Sequence, residues 1–137
     1  MATGTPWAPT EIRPADVDVA ANAAGLKEHL GSIDLEAMLV EHKALVWRDF
    51  AVGRDEFDAM VDMLLPTRWA YRHGNSPRTK VGNNIYTSTE YPPEYTISMH
   101  NELSYAPRYP SRLVFYCQRA PVTGGATPVV DGVGWLG

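Results

Sequence analysis

The sequence has a single cysteine, Cys117. No disulfide can form within the chain, and a reducing, cytoplasmic setting is expected. It also lacks an excess of positive charge. Twelve Lys and Arg stand against sixteen Asp and Glu, for a formal net charge of -4, so nucleic acid and anionic lipid are not expected partners. No apolar run approaches the roughly 20 residues of a membrane span. The first residues, MATGTPWAPTEIRPADVDVA, have neither the basic start nor the apolar stretch of a secretory signal. There are no repeats and no low-complexity tract. Histidine is scarce: of four, His29, His42 and His73 precede His100, and none follows it.

What is present suits one globular domain. A chain of 137 residues with 45% hydrophobic content can bury a core. Residues 1–20 show little periodicity and are expected to form an extended lead-in. Residues 21–70 have a helical pattern with one strand. Asn22 to Leu30 places Leu26 and Leu30 four apart, with Gly31 as a stop. Asp34 suits the N-cap of a second helix, with Glu36 in its first turn and Leu35, Met38 and Leu39 on its apolar side. Ala44 to Trp47 is a buried-strand candidate. Arg54 to Leu65 is the strongest helix, with Phe57, Met60, Val61, Leu64 and Leu65 at helical spacing and Pro66 closing it.

The character then changes to short β candidates: Trp69 to Tyr71, Val81 to Thr87, Tyr95 to His100, Leu113 to Cys117 and Thr127 to Val130. Cys117, in an apolar run, is expected to be a core thiol. Helices followed by strands predict an α+β fold with helices packed outside a β core.

His100-Asn-Glu102 is the chemically suggestive element. On a strand, residues two apart face the same side, and an imidazole beside a carboxylate makes two of the three groups of a facial two-His, one-carboxylate iron site. A polar strand face turned to water would give the same tripeptide. Gly124-Gly125-Ala126-Thr127 is by itself a tight turn, Asn83-Asn84 another, and Arg72 and His73 are ordinary loop residues.

Taken together, these pieces carry a resemblance. Residues 71–131, with Ser88-Thr-Glu-Tyr-Pro92, His100-Asn-Glu-Leu-Ser-Tyr105, Phe115-Tyr-Cys117 and Gly124-Gly-Ala-Thr-Pro128 in order, resemble the central segment of the TauD/TfdA (taurine dioxygenase-like) family. They look most like its branch of syringomycin-type hydroxylases and clavaminate synthase-like enzymes. The resemblance implies Fe(II)- and 2-oxoglutarate-dependent oxygenase activity on a double-stranded β-helix (jelly roll). Residue by residue, it implies His100 and Glu102 as iron ligands. Thr127 would bind a 2-oxoglutarate carboxylate, and Asn84 would lie near the cosubstrate. Arg72, His73, Ser76, Tyr86 and Tyr105 would lie toward substrate. Iron(II), 2-oxoglutarate and dioxygen would then serve the hydroxylation of an amino-acid-like small molecule, free or tethered to a carrier protein. A carboxylate at Glu102 disfavours halogenation.

The family pattern also contains a later His and a later Arg. Here no histidine follows Glu102, and the last arginine is Arg119. After Asp131 the resemblance stops, and residues 132–137 form a divergent tail. The expectation is therefore a single, C-terminally truncated domain: N-terminal helices on an incomplete jelly roll, impaired in activity, with exposed sheet edges open to homo-oligomer formation. A non-catalytic binding or interaction module, or a cupin-like metal-binding module without oxidative chemistry, are the alternatives.

Overall fold

The protein's structure, a computed structural model, describes residues 6–68, 78–82, 84–88 and 90–136. The chain divides into two compact units, one of Met1–Gly53 with Arg119–Gly137 and one of Arg54–Gln118.

The first unit begins with a strand, β1 (Thr10–Ile12), and a short helix, α1 (Pro14–Val17); both fall in the stretch expected to be an extended lead-in. Two longer helices follow, α2 (Ala23–Ser32) and α3 (Leu35–His42), then β2 (Leu45–Trp47). β1 and β2 pair in parallel, with Thr10 opposite Leu45 and Ile12 opposite Trp47. Parallel neighbours need a long crossover, and the three helices supply it.

Each helix end has a local cause. Asn22 caps α2 by accepting from Gly25 N at 2.9 Å. Gly25 is obligatory there, because a Cβ would sit 1.9 Å from the Ala20 carbonyl oxygen. α2 buries Ala23, Leu26, His29 and Leu30, a stripe at helical spacing. It runs through Gly31, the expected stop, to Ser32, and ends where Ile33 turns extended; a glycine costs a helix only about 1 kcal/mol. Asp34 caps α3 as its sequence predicts, accepting from Ala37 N at 3.1 Å. The flanks of the sheet are tied by charge. Glu11 accepts from Arg48 at 2.7 Å and Arg13 at 3.0 Å, and the two guanidinium groups hold its carboxyl below the usual range.

The unit closes with α5 (Gly132–Leu136), within the tail read as divergent. Lys43 pairs with Asp131 at 2.6 Å at its start.

The second unit starts with α4 (Arg54–Leu64), which buries Met60, Val61 and Leu64, each stabilising by roughly 1.5–3 kcal/mol on full burial. The strand expected over Val81 to Thr87 is instead a hairpin, β3 (Lys80–Gly82) and β4 (Ile85–Tyr86), antiparallel. Asn84, at φ +52, stands at its turn, the conformation that Asn tolerates well.

Tyr95 to His100, Leu113 to Cys117 and Thr127 to Val130 are not strands; these segments run without a ladder. A strand exists only as a pair, and among the described residues none lies beside them to pair with. The 111–117 segment keeps the alternation of a half-buried strand, with Arg112, Val114 and Tyr116 partly covered and their neighbours exposed. Side chains hold it in place of a ladder: Tyr116 stacks on Phe57 of α4 with ring centroids 4.5 Å apart, and Arg112 donates to the Leu64 carbonyl at 3.2 Å. Cys117 is exposed and not the core thiol expected, because the run that contains it turns only one face inward. Trp69 to Tyr71 lie outside the described residues. Among the described residues, no helix is long and apolar enough to cross a membrane.

Candidate metal centre

His100 ends the extended run, and Glu102 opens a turn. Two backbone bonds shape that turn, Ser104 N to Asn101 O at 3.2 Å and Ala106 N to Leu103 O at 2.9 Å. Leu103 is buried and takes φ +54, a left-handed conformation that costs an L-residue roughly 1–2 kcal/mol. Burial of its side chain offsets that strain and fixes the backbone beside Glu102.

The two side chains converge. His100 Nε2 lies 3.9 Å from Glu102 Oε2, although the pair does not sit on a paired strand. The Ser98 carbonyl lies 2.7 Å from His100 Nδ1. A carbonyl only accepts, so Nδ1 carries the proton of the neutral ring and Nε2 is left with its lone pair facing the carboxylate. A ring nitrogen tied to a carbonyl behind a free one is the arrangement that metal-binding histidines use. The 3.9 Å gap is too long for a hydrogen bond. It is shorter than two metal–ligand bonds of about 2.1 Å end to end, so one cation can reach both atoms. The donors therefore fit a two-point hold on a divalent ion. Among the described residues, no cluster of three or more His, Cys, Asp or Glu side chains forms.

The other carboxylate oxygen, Glu102 Oε1, accepts from Arg78 at 3.2 Å. Arg78 has no signal in the sequence: it stands 24 residues from Glu102, and no local pattern reports so distant a partner. Glu102 and Arg78 lie on the wall of a cleft of about 580 Å³, which Asn84, Tyr86, Arg54 and Arg112 also line. The Asn84 amide donates to the Arg68 carbonyl at 3.1 Å, so its orientation is set by the backbone that follows α4. Arg68 in turn is clamped by Asp58 and Asp62. Tyr105 is exposed and does not line this cleft. Arg72, His73 and Ser76 lie outside the described residues.

Thr127 belongs to the other compact unit, in an exposed run. Ahead of it, Gly124 and Gly125 take φ +66 and +73, and a Cβ on Gly125 would meet Pro121 Cγ at 2.4 Å. The Gly-Gly pair is thus required by the turn that leads to the threonine.

Two known proteins are similar to the chain. The dapdiamide synthesis protein DdaC of Enterobacter agglomerans is 31% identical over 116 residues, which cover 84% of this chain and 35% of that protein. A clavaminate synthase-like protein of Arabidopsis thaliana is 36% identical over 97 residues, covering 70% of this chain and 29% of that protein. The chain thus spans about a third of the length of the curated relatives it matches. No solved structure matches it. The family model for the taurine catabolism dioxygenase TauD, TfdA family matches residues 4–134, nearly the whole chain, and the chain belongs to that family.

Proposed function

We propose that this chain is the iron- and cosubstrate-bearing part of a 2-oxoglutarate-dependent oxygenase that hydroxylates an amino-acid-like small molecule, free or carrier-tethered. The observation that carries the reading is the approach of His100 Nε2 to Glu102 Oε2 at 3.9 Å, with the ring held from behind by the Ser98 carbonyl. Family membership supports the reaction class, and a relative named for dapdiamide synthesis supports an amino-acid-like substrate. In this reading His100 and Glu102 hold iron(II) through one nitrogen and one oxygen. The Thr127 hydroxyl donates to a carboxylate of 2-oxoglutarate without adding charge. Asn84 and Tyr86 face the organic ligands from the cleft wall, while Arg72, His73, Ser76 and Tyr105 contribute substrate contacts. Iron, 2-oxoglutarate and dioxygen supply the oxidation, which yields succinate, carbon dioxide and a hydroxylated C–H position. The jelly roll of the family is the scaffold on which these residues are meant to sit, in a cytoplasmic protein. Exposed apolar side chains from Tyr91 onward favour self-association of this chain.

Two donors hold a metal less tightly than three, so the chain by itself is expected to turn over little or no 2-oxoglutarate. The two-donor count among the described residues favours a second reading, a binding or interaction module without oxidative chemistry. Anaerobic titration with iron(II) and 2-oxoglutarate separates them. A weak visible charge-transfer band, present in the wild type and lost in His100→Ala, supports the oxygenase lineage of the site. Iron and 2-oxoglutarate that give no band even at saturating concentrations would leave the module reading. Succinate formation at rates abolished by His100→Ala would overturn the expectation of low activity.

A further inference from the structure

A carboxylate that ligates through one oxygen needs its other oxygen held. Glu102 presents Oε2 to His100 and Oε1 to Arg78. The Arg78 and Glu102 side chains are 19% and 16% exposed, so the contact is partly shielded from solvent and less screened by salt than a surface pair. Arg78 is also well anchored. Its neighbour Thr79 donates its backbone N–H to Thr87 Oγ1 at 2.8 Å and its hydroxyl to Glu90 at 2.8 Å. Thr87 N returns a bond to the Thr79 carbonyl at 2.8 Å. The guanidinium is therefore carried by the root of the β3–β4 hairpin and reaches Glu102 from a fixed base.

We propose that Arg78 is a positioning residue for Glu102: by holding Oε1 it turns Oε2 toward His100 Nε2 and makes the carboxylate a one-oxygen ligand in a set place. The inference rests on the reading of His100 and Glu102 as a metal pair. A glutamate has three rotatable bonds and, unheld, sweeps a volume in which few conformers meet the imidazole. Outer-shell partners that remove this freedom are commonly worth about 10- to 100-fold in metal affinity. The guanidinium charge also repels a divalent ion, which opposes the effect. The sign of the change on removing it therefore decides between orientation and repulsion.

The test titrates cobalt(II) alone into the full chain, following its visible ligand-field absorption, with thermal denaturation to confirm folding. Arg78→Gln is expected to weaken binding about tenfold and to shift the absorption bands, because Glu102 can then swing to a different coordination mode. Arg78→Lys, which keeps the charge and one donor, should fall between that variant and the wild type. His100→Ala and Glu102→Gln test the underlying pair: if cobalt binds them as tightly as the wild type, the metal-pair reading itself fails. If they lose the metal while Arg78→Gln binds as tightly as the wild type, or tighter, the pair stands and the positioning role is overturned. Should Arg78→Gln not fold, Arg78→Lys decides alone: unchanged affinity and spectrum overturn the proposal, and weaker binding with shifted bands supports it.

Discussion

Residues 6–64 and residues 91–136 are both rich in apolar and aromatic side chains, yet only the first set buries them. Ile12, Ala23, Leu26, Leu30, Met60, Val61 and Leu64 are all below a tenth exposed, whereas from residue 91 onward Leu103 is the one buried hydrophobic among the described residues. Tyr95, Ile97, Met99, Leu113, Phe115 and Val129 are exposed. The difference follows from how each kind of element satisfies its backbone. A helix makes its hydrogen bonds within itself and needs only one apolar stripe covered. A strand needs a neighbour, and its side chains find cover only when a sheet forms around them. The proposed iron ligands His100 and Glu102 and the proposed cosubstrate contact Thr127 lie in the second region, where structure depends most on distant pairing.

The widest gap should appear in core truncations. Met60, 1% exposed, is expected to lose about 3 kcal/mol as Met60→Ala, seen as an earlier urea midpoint. Phe115→Ala, at a site 64% exposed, should change stability by less than about 0.5 kcal/mol. Equal losses would break the comparison, because they would mean that the later region has a core of its own.

Leu103 is the exception that sharpens the contrast. Leu103→Ala removes the one buried apolar side chain of the later region while keeping the cost of a left-handed backbone, and should lose about 2 kcal/mol. Leu103→Gly loses the same burial but relieves roughly 1–2 kcal/mol of strain, so it should be the more stable of the two. Glycine is ordinarily the worse replacement. An alanine variant that outlasts the glycine variant would show that φ at this position is not positive in solution.

The helical part was legible because its signals are local. Asp34 capped the helix it was expected to cap, and Met60, Val61 and Leu64 of the strongest periodic run are the buried residues of α4. β2 lies where an apolar run predicted it, but its partner β1 was hidden in a stretch with no periodicity, since three residues are too few to show one. The later strand candidates failed for the opposite reason: alternation survives at Arg112, Val114 and Tyr116, but alternation describes a face and not a partner. At the candidate site, residue spacing placed His100 and Glu102 two apart, and their side chains do converge. The turn after Glu102, the αL leucine and the guanidinium on Oε1 lie beyond any periodic pattern, because each depends on contacts between residues far apart or on a strained backbone.

The smallest effect expected is a pH dependence, and it belongs to the earlier region. His29 is 5% exposed, and burial pushes its imidazole below the usual histidine value. Its Nε2 has no hydrogen-bond partner among the described residues, and the Trp47 ring packs edge-on with centroids 6.4 Å apart, so on that side no acceptor meets an imidazolium proton. Its place in the last turn of α2 would favour a cation, but desolvation outweighs that pull. The sign follows from proton counting. Below about pH 6.5 the unfolded chain protonates this histidine while the folded chain resists, so the unfolded state binds more protons and stability is lost as pH decreases. The loss begins near the ordinary histidine value, continues down to the depressed folded one, and then levels off. His29→Gln has a similar reach and no titration, so urea midpoints measured from pH 7.5 to 5 should fall less steeply in the variant, by at most one proton's worth of slope. A variant that keeps the full wild-type slope would mean that His29 is open to protonation in the folded state, and that α2 does not seal the core as its apolar stripe implies.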